Sequence, residues 1–354
     1  MHKTLSNPPN PWSSTQIEYD LGEPPEVALT VIEEEAKSIL SENKSPDIPF
    51  RYSLNPYRGC SHACAYCYAR PSHQYLGFGA GTDFDSKIVV KVNAAELLEK
   101  RMRSRTWVAE PISFSGNTDP YQPLEASYQL TRRCLEVCLR HRNPVGIITK
   151  GSLVRRDVDL LAALEVAAGA RVFVSVPFAD DDVGHAIEPG ASIPSQRFKT
   201  IRALAEAGVP VGVAIAPVIP GLNDSAIPEI LERAAEAGAR RAFMILLRLA
   251  DEVEPVFVER LRASMPLRAE KVLRGLGEMR GGRVGDKRFG HRMVGQGPRW
   301  ELVRQVFHLH CRRLGLEAGE EMPTRPERPD GPLAVVGQEV GRVGRAQLSL
   351  FGEE

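Results

Sequence analysis

Three of the chain's six cysteines, Cys60, Cys64 and Cys67, fall within eight positions of "RGCSHACAYCYAR" (58–70). The C-x3-C-x2-C spacing puts three thiols on one tight loop, where they can turn toward a common centre. Two metal chemistries use such a set. A structural zinc takes four protein ligands in tetrahedral geometry, and His62 or His73 stands near enough in sequence to supply the fourth. An iron–sulfur cluster held by only three cysteines leaves one iron open to a ligand from outside the protein. Disulfides are the remaining use of clustered thiols. "MHKTLSNPPNPWSS" has no apolar leader segment, so the expectation is a cytoplasmic protein, in which disulfides are rare.

The other cysteines read differently. Cys134 and Cys138 stand four apart in "LTRRCLEVCLRH", with His141 behind them, a spacing that describes a buried helical stripe as well as a ligand set. Unpaired cysteine is among the most buried residue types, so core is the expectation for both and for Cys311 in "FHLHCRRL". His308 and His310 are two apart on the same helical pattern and face different sides. "GFGAG" (77–81) follows no clear strand and makes a weak phosphate loop.

A cysteine loop needs a frame to hold it. Composition is that of a globular protein, with 43% hydrophobic and 25% charged residues and a mean hydropathy of −0.22. No run approaches the roughly 18 apolar residues of a membrane span, and no membrane partner is expected. From about Arg51, strand-like runs at 52–56, 111–116, 145–150, 171–176, 209–217 and 241–246 alternate with helical patterns. These helices are "NAAELLEKRMRS", "PLEASYQLTRRCLEVCLR", "VDLLAALEVAA", "PSQRFKTIRALAEAG" and "SAIPEILERAAEAG". Such alternation predicts an α/β fold with a parallel sheet, here a partial (β/α)6 TIM-like barrel over 51–265. Chemistry in such barrels sits at the C-terminal ends of the strands, which puts the cysteine loop in the mouth. Residues 1–50 read as an extension with one short helix in "PPEVALTVIEEEAKSIL", 266–316 as a basic helical extension, and 317–354 as a flexible tail.

"CSHACAYC", with an aromatic residue just before the last cysteine, resembles the signature of radical S-adenosylmethionine (SAM) enzymes. The resemblance implies a [4Fe–4S] cluster on Cys60, Cys64 and Cys67 whose fourth iron takes SAM. Reductive cleavage of SAM to a 5′-deoxyadenosyl radical would follow, with electrons from a donor such as flavodoxin or ferredoxin. It also implies SAM-binding roles at the other strand ends. Ser115, Gly116 and Asn117 in "SFSGNTDPYQPLE" would hold the methionyl amine. Thr149, Lys150 and Ser175 would offer polar groups to ribose or carboxylate, and Arg197 would pair with the carboxylate. Val218, in "VAIAPVIPGLND", would lie along the adenine and Tyr66 would cover it. "NPYRGCSHACAYCYAR" with "NTDPYQPLE" and "ITKG" is similar, over about residues 50–250, to the spore photoproduct lyase branch and its bacterial relatives. That lyase carries a hydrogen-donating cysteine between its cysteine loop and second strand, whereas this chain has none between Cys67 and Cys134.

Charge and tail bear on the partner. The net charge is zero, but residues 1–50 carry nine acids against three Lys, while 266–315 carry twelve Lys and Arg against four acids. The basic stretch is either a solvated face or a footprint for DNA. "QLSLF" (347–351) resembles the peptide by which bacterial repair proteins dock on the sliding clamp. Leu348, Leu350 and Phe351 would fill apolar pockets while Gln347 fixes the register. The expected function is a radical SAM enzyme acting on DNA in the manner of a photoproduct lyase. The alternatives are radical modification of RNA, a peptide or a small molecule, and a non-catalytic, zinc-containing clamp adaptor.

Overall fold

The structure is a computed structural model that describes residues 28–46, 48–249, 252–285 and 291–319. Its strands are β1 (Thr30–Glu34), β2 (Leu40–Glu42), β3 (Tyr52–Leu54), β4 (Tyr57–Arg58), β5 (Lys87–Lys91), β6 (Ile112–Phe114), β7 (Val145–Thr149), β8 (Ala170–Ser175), β9 (Val211–Val218), β10 (Arg241–Leu246) and β11 (Glu317–Gly319). The main sheet runs β11-β10-β9-β8-β7-β6-β3-β2. All neighbours in it are parallel except β2, which pairs antiparallel with β3. The six strands β3 and β6–β10 are the expected barrel strands, and β2 and β11 do not pair, so the barrel stays open. β9 is buried along almost its whole length. Its unbroken apolar run "VGVAIAPV" fits a strand covered on both faces.

Helices close the outer face. Residues Leu130–Arg140 bury Cys134 and Cys138 along with Leu130, Leu135 and Val137, and Cys311 is buried in Pro298–Leu314. All three are core, as their spacing predicts.

Three local expectations change. The pattern read as one helix over 123–140 is two, Glu125–Tyr128 and Leu130–Arg140, parted at Gln129 with φ 51°. The break has a physical source in Glu125, whose buried carboxylate accepts from the backbone N–H groups of Thr131 (2.9 Å) and Arg132 (3.2 Å) and so caps the second helix. The helix expected in 24–40 is replaced by β1, whose β-branched Thr30, Val31 and Ile32 pair parallel with β5 in a small side sheet, β1-β5-β4. Glu317–Gly319, read as tail, adds β11 to the edge of β10.

A second apolar layer lies over the strand ends. Cys64, Ala65 and Tyr66 of the cysteine loop pack there with Phe178, Ile187, Ile219 and Leu222. Helices Val253–Ser264 and Pro266–Met279 contribute Val253, Phe257, Leu261, Val272 and Leu276. Through Val272 and Leu276 the basic extension shares this apolar layer with the loop.

Candidate active site

The cysteine loop is held from four sides. Gly59 has φ 79°, and a Cβ there would stand 2.9 Å from both the His73 ring and the Lys87 carbonyl. Arg70, wholly buried, donates from Nε (3.1 Å) and Nη2 (2.8 Å) to the Cys64 carbonyl. Its Nη1 donates to the carbonyls of Ala80 and Gly81, and Asp85 balances its charge at 2.8 Å. From the loop after β6, the Gln122 side chain accepts from Ser61 N–H (3.1 Å) and donates to the Gly59 carbonyl (3.3 Å). From the segment after β8, Gly190 N–H donates to the His62 carbonyl (3.0 Å), and Ala65 N–H donates to the Ile187 carbonyl (3.1 Å). The contact at Gly190 is so close that a Cβ would lie 1.9 Å from the Ser61 carbonyl oxygen.

Both histidines have partners of their own, although His62 also lies within hydrogen-bond reach of Cys60. His62 Nδ1 faces Asp119 at 3.4 Å. His73 Nε2 meets the Lys87 carbonyl at 2.9 Å, with the rings of Phe78 and Phe84 beside it. Among the described residues no three His, Cys, Asp or Glu side chains, the three thiols of the loop included, stand close enough together to hold one ion. Three thiols on one loop with no fourth protein ligand are the donor set of a cluster with an open iron. Burial pushes the Cys67 thiol up to about 11 and raises Cys64 too, so these thiols ionise only as metal arrives and takes the place of their protons.

Strand ends around the loop carry the expected SAM-binding residues. After β6, Gly116 has φ 130°, Ser115 Oγ is 3.3 Å from Ser113 Oγ, and Asn117 N–H donates to Asn55 Oδ1 (3.0 Å). Next in this segment, Thr118 Oγ1 is buried with no hydrogen-bond partner, a polar atom that suits a bound polar ligand. Asp119, which the sequence reading passed over, organises the next strand end. It accepts from Thr149 Oγ1 (2.6 Å), Lys150 N–H (2.7 Å) and Tyr121 N–H (2.9 Å). Burial opposes its charge, but His62 and these donors outweigh burial and keep the carboxyl below its usual range. Burial likewise opposes a charged His62, and Asp119 and Cys60 reverse that, so its pKa rises.

Glu188 is the second residue that sequence reasoning missed. It is wholly buried and gathers three of the residues that were singled out. Tyr66 Oη and Arg197 Nη2 both donate to its carboxylate, and Lys150 Nζ stands 3.9 Å away. Lys150 also donates to Ser175 Oγ (3.0 Å) and lies 5.6 Å from the centre of the Tyr66 ring. Arg197 spends its other donors on the carbonyls of Ser192 (2.6 Å) and Ser175 (2.9 Å). A ligand carboxylate at Arg197 therefore has to share or displace Glu188. Val218 closes the group at the end of β9, its carbonyl accepting from Leu247 N–H (2.9 Å). An acid followed by Pro and Gly in "EPGAS" was the signal available for Glu188, and its burial was not legible there. Gln347, Leu348, Leu350 and Phe351 lie outside the described residues.

Comparison with known proteins shows the family. The model of the Radical SAM superfamily matches residues 54–234, from β3 through the helix after β9. The chain belongs to the radical SAM superfamily. Its members are enzymes that use a [4Fe–4S] cluster and SAM. An uncharacterized protein of Mycobacterium tuberculosis is 42% identical over 202 residues, which is 56% of this chain and 59% of that protein. The match thus spans well under two thirds of that relative. A protein of Pseudomonas phage M6 named radical SAM Nalpha-GlyT isomerase is 26% identical, over 58% of this chain and 41% of its own length. Among solved structures, spore photoproduct lyase complexed with dinucleoside spore photoproduct shares the fold. Its TM-score is 0.57 at 16% identity, over 82% of this chain and 81% of that chain. No helix among the described residues is long and apolar enough to cross a membrane.

Proposed function

We propose that this radical SAM enzyme acts on a damaged base in DNA, in the manner of a photoproduct lyase. Cys60, Cys64 and Cys67 would hold the cluster, which when bound would supply one-electron chemistry to SAM, drawing on an outside donor. The chain's own residues position and shield. Gly116 and Thr118 offer backbone room and a buried hydroxyl to the methionyl end of SAM. Thr149 and Lys150, oriented by Asp119, and Ser175 face the sugar and carboxylate. Tyr66, anchored by Glu188, and Val218 wall the adenine. The apolar layer of Phe178, Ile187 and Phe257 keeps water from the reacting centre.

The observation that carries the DNA reading is a cationic stripe. On helix Pro266–Met279, Arg268, Lys271 and Arg274 are exposed at i, i+3 and i+6, while Val272 and Leu276 pack in the apolar layer shared with the cysteine loop. A phosphate-binding track thus runs next to the mouth. The spore photoproduct lyase fold supports this reading, and an electron donor such as flavodoxin or ferredoxin and the sliding clamp belong to it as partners. The test is anaerobic reconstitution with SAM, dithionite and UV-irradiated DNA. The expected products are 5′-deoxyadenosine and repaired thymines in step. Formation of 5′-deoxyadenosine without any change in DNA would move the substrate to RNA, peptide or small molecule. A colourless protein that keeps zinc and never takes up iron would overturn the radical reading itself.

A further inference from the structure

Helix Val253–Ser264 lays Phe257 and Leu261 against Cys64, Ala65 and Tyr66 of the cysteine loop. Arg260, three residues after Phe257 and one before Leu261, is carried on the same side. It is only 6% exposed. The charged groups facing it are the carboxylates of Asp85 and Glu259, the Arg70 guanidinium and the Cys64 thiol. Asp85 is already engaged, since both its oxygens accept from Arg70 Nη2, at 2.8 and 3.1 Å.

The other buried arginines are matched. Arg70 has Asp85 and three carbonyls, Arg197 has Glu188 and two carbonyls, Arg280 donates to the carbonyls of Leu246, Leu247 and Arg292, and Arg292 donates to Ser45 Oγ (2.7 Å). Arg260 is different. Its Nε is sealed from solvent with no hydrogen-bond partner, the one atom of its fork so placed. A guanidinium stays charged and its N–H groups are strong donors, so a buried Nε left unmatched is unfavourable unless something arrives to match it. Burial pulls its pKa down, in the direction this exposure to a dry environment demands.

We propose that Arg260 is an oxyanion-binding residue beside the cysteine loop. It takes a carboxylate or phosphate oxygen pair of a molecule bound over the cluster, in the two-pronged geometry that suits a guanidinium. Two sources supply that chemistry, the carboxylate of SAM and a phosphate of a nucleic-acid substrate. The inference rests on the unmatched buried Nε and stands apart from the DNA reading.

The test compares full-length, anaerobically reconstituted wild type with Arg260→Met and Arg260→Lys, by calorimetric binding and thermal unfolding. The probes are SAM, inorganic phosphate and the dinucleotide thymidylyl-thymidine. Arg260→Met should weaken at least one probe by about 10- to 100-fold, the range for a lost charged hydrogen-bonded pair. Its ligand-free melting temperature should stay level or rise, because an unmatched buried donor has gone. Arg260→Lys should retain part of the affinity, as a point charge without the fork. A loss confined to SAM assigns the cofactor carboxylate, and a loss confined to phosphate and dinucleotide assigns the substrate. The proposal is overturned if every probe binds both variants within twofold of wild type. It is also overturned if the Met variant melts several degrees lower without ligand, since Arg260 would then have a structural partner. If the Met variant fails to fold, the Lys variant alone decides by the same binding criterion.

Discussion

Gly190 is the point where the segment after β8 touches the cysteine loop, and it shows how single atoms set this site. Its N–H bonds the His62 carbonyl while its missing Cβ leaves room for the Ser61 carbonyl. Gly190→Ala would force the two backbones apart, because no side-chain rotation relieves a Cβ that meets a backbone oxygen at 1.9 Å. The expected result is a folded protein, by circular dichroism, whose reconstituted iron falls to half or less of the roughly four atoms of a full cluster. Unchanged iron content would show that the loop tolerates the shift. Glu188 works at the same scale. It ties Tyr66, Arg197 and Lys150 into one buried charge network, in which each orients the others.

At the scale of elements, Glu99 joins two helices that the sheet alone does not lock together. It sits on Ala94–Met102 and accepts from Arg140 (2.8 Å) and His141 (2.9 Å) at the end of Leu130–Arg140, and from Arg103 (2.8 Å) on its own side. Arg140 first, then His141, holds its carboxyl at about 2, below the ordinary 4.5. A depressed folded-state pKa means stability that is present above about 4.5 and lost as pH falls toward about 2. Glu99→Gln should therefore cost about 1 kcal/mol at pH 7, because solvent screens this rim network. The deficit relative to wild type should vanish in urea titrations near pH 2. A deficit that persists there would assign it to packing instead of charge. Glu125 acts between elements in the same way, capping Leu130–Arg140 through Thr131 and Arg132 while Arg156 pairs with it at 2.7 Å.

For the whole molecule the question is which basic residues face a partner. Of the twelve Lys and Arg in 266–315, Arg280 and Arg292 are buried, and Arg299 is spent on Glu278 and Asp224. Arg283, Arg312 and Arg313 are exposed singly or at a helix end, whereas Arg268, Lys271 and Arg274 form an exposed stripe on a helix that shares an apolar layer with the cysteine loop. Replacing all three by Gln should lower the salt dependence of duplex DNA binding by nearly three counterions, since the slope falls by about 0.9 for each lost phosphate contact. Fluorescence anisotropy between low and moderate salt measures it. An unchanged slope would return the stripe to the role of a solvated face.

The sequence by itself determined the chemistry and the barrel. Three thiols at fixed spacing on one loop left zinc and an open-iron cluster, between which the resemblance of "CSHACAYC" to the radical SAM signature chose, and six apolar runs alternating with amphipathic helices named parallel strands, because these signals are local. Core placement of Cys134, Cys138 and Cys311 was legible for the same reason. Only the tertiary structure decided what depends on contacts distant in sequence. β1 became a strand because the edge of β5, more than fifty residues away, was there to pair with Thr30–Glu34. The helix read through Gln129 broke because the Glu125 carboxylate, packed beneath it, bonds the amides that begin the second helix. Asp119 and Glu188 looked like ordinary loop acids until folding buried them among the donors that make them the organising charges of the mouth. Arg260 carried no signal in the sequence, and its burial near Cys64 follows only from the packing that buries Phe257 and Leu261 with it.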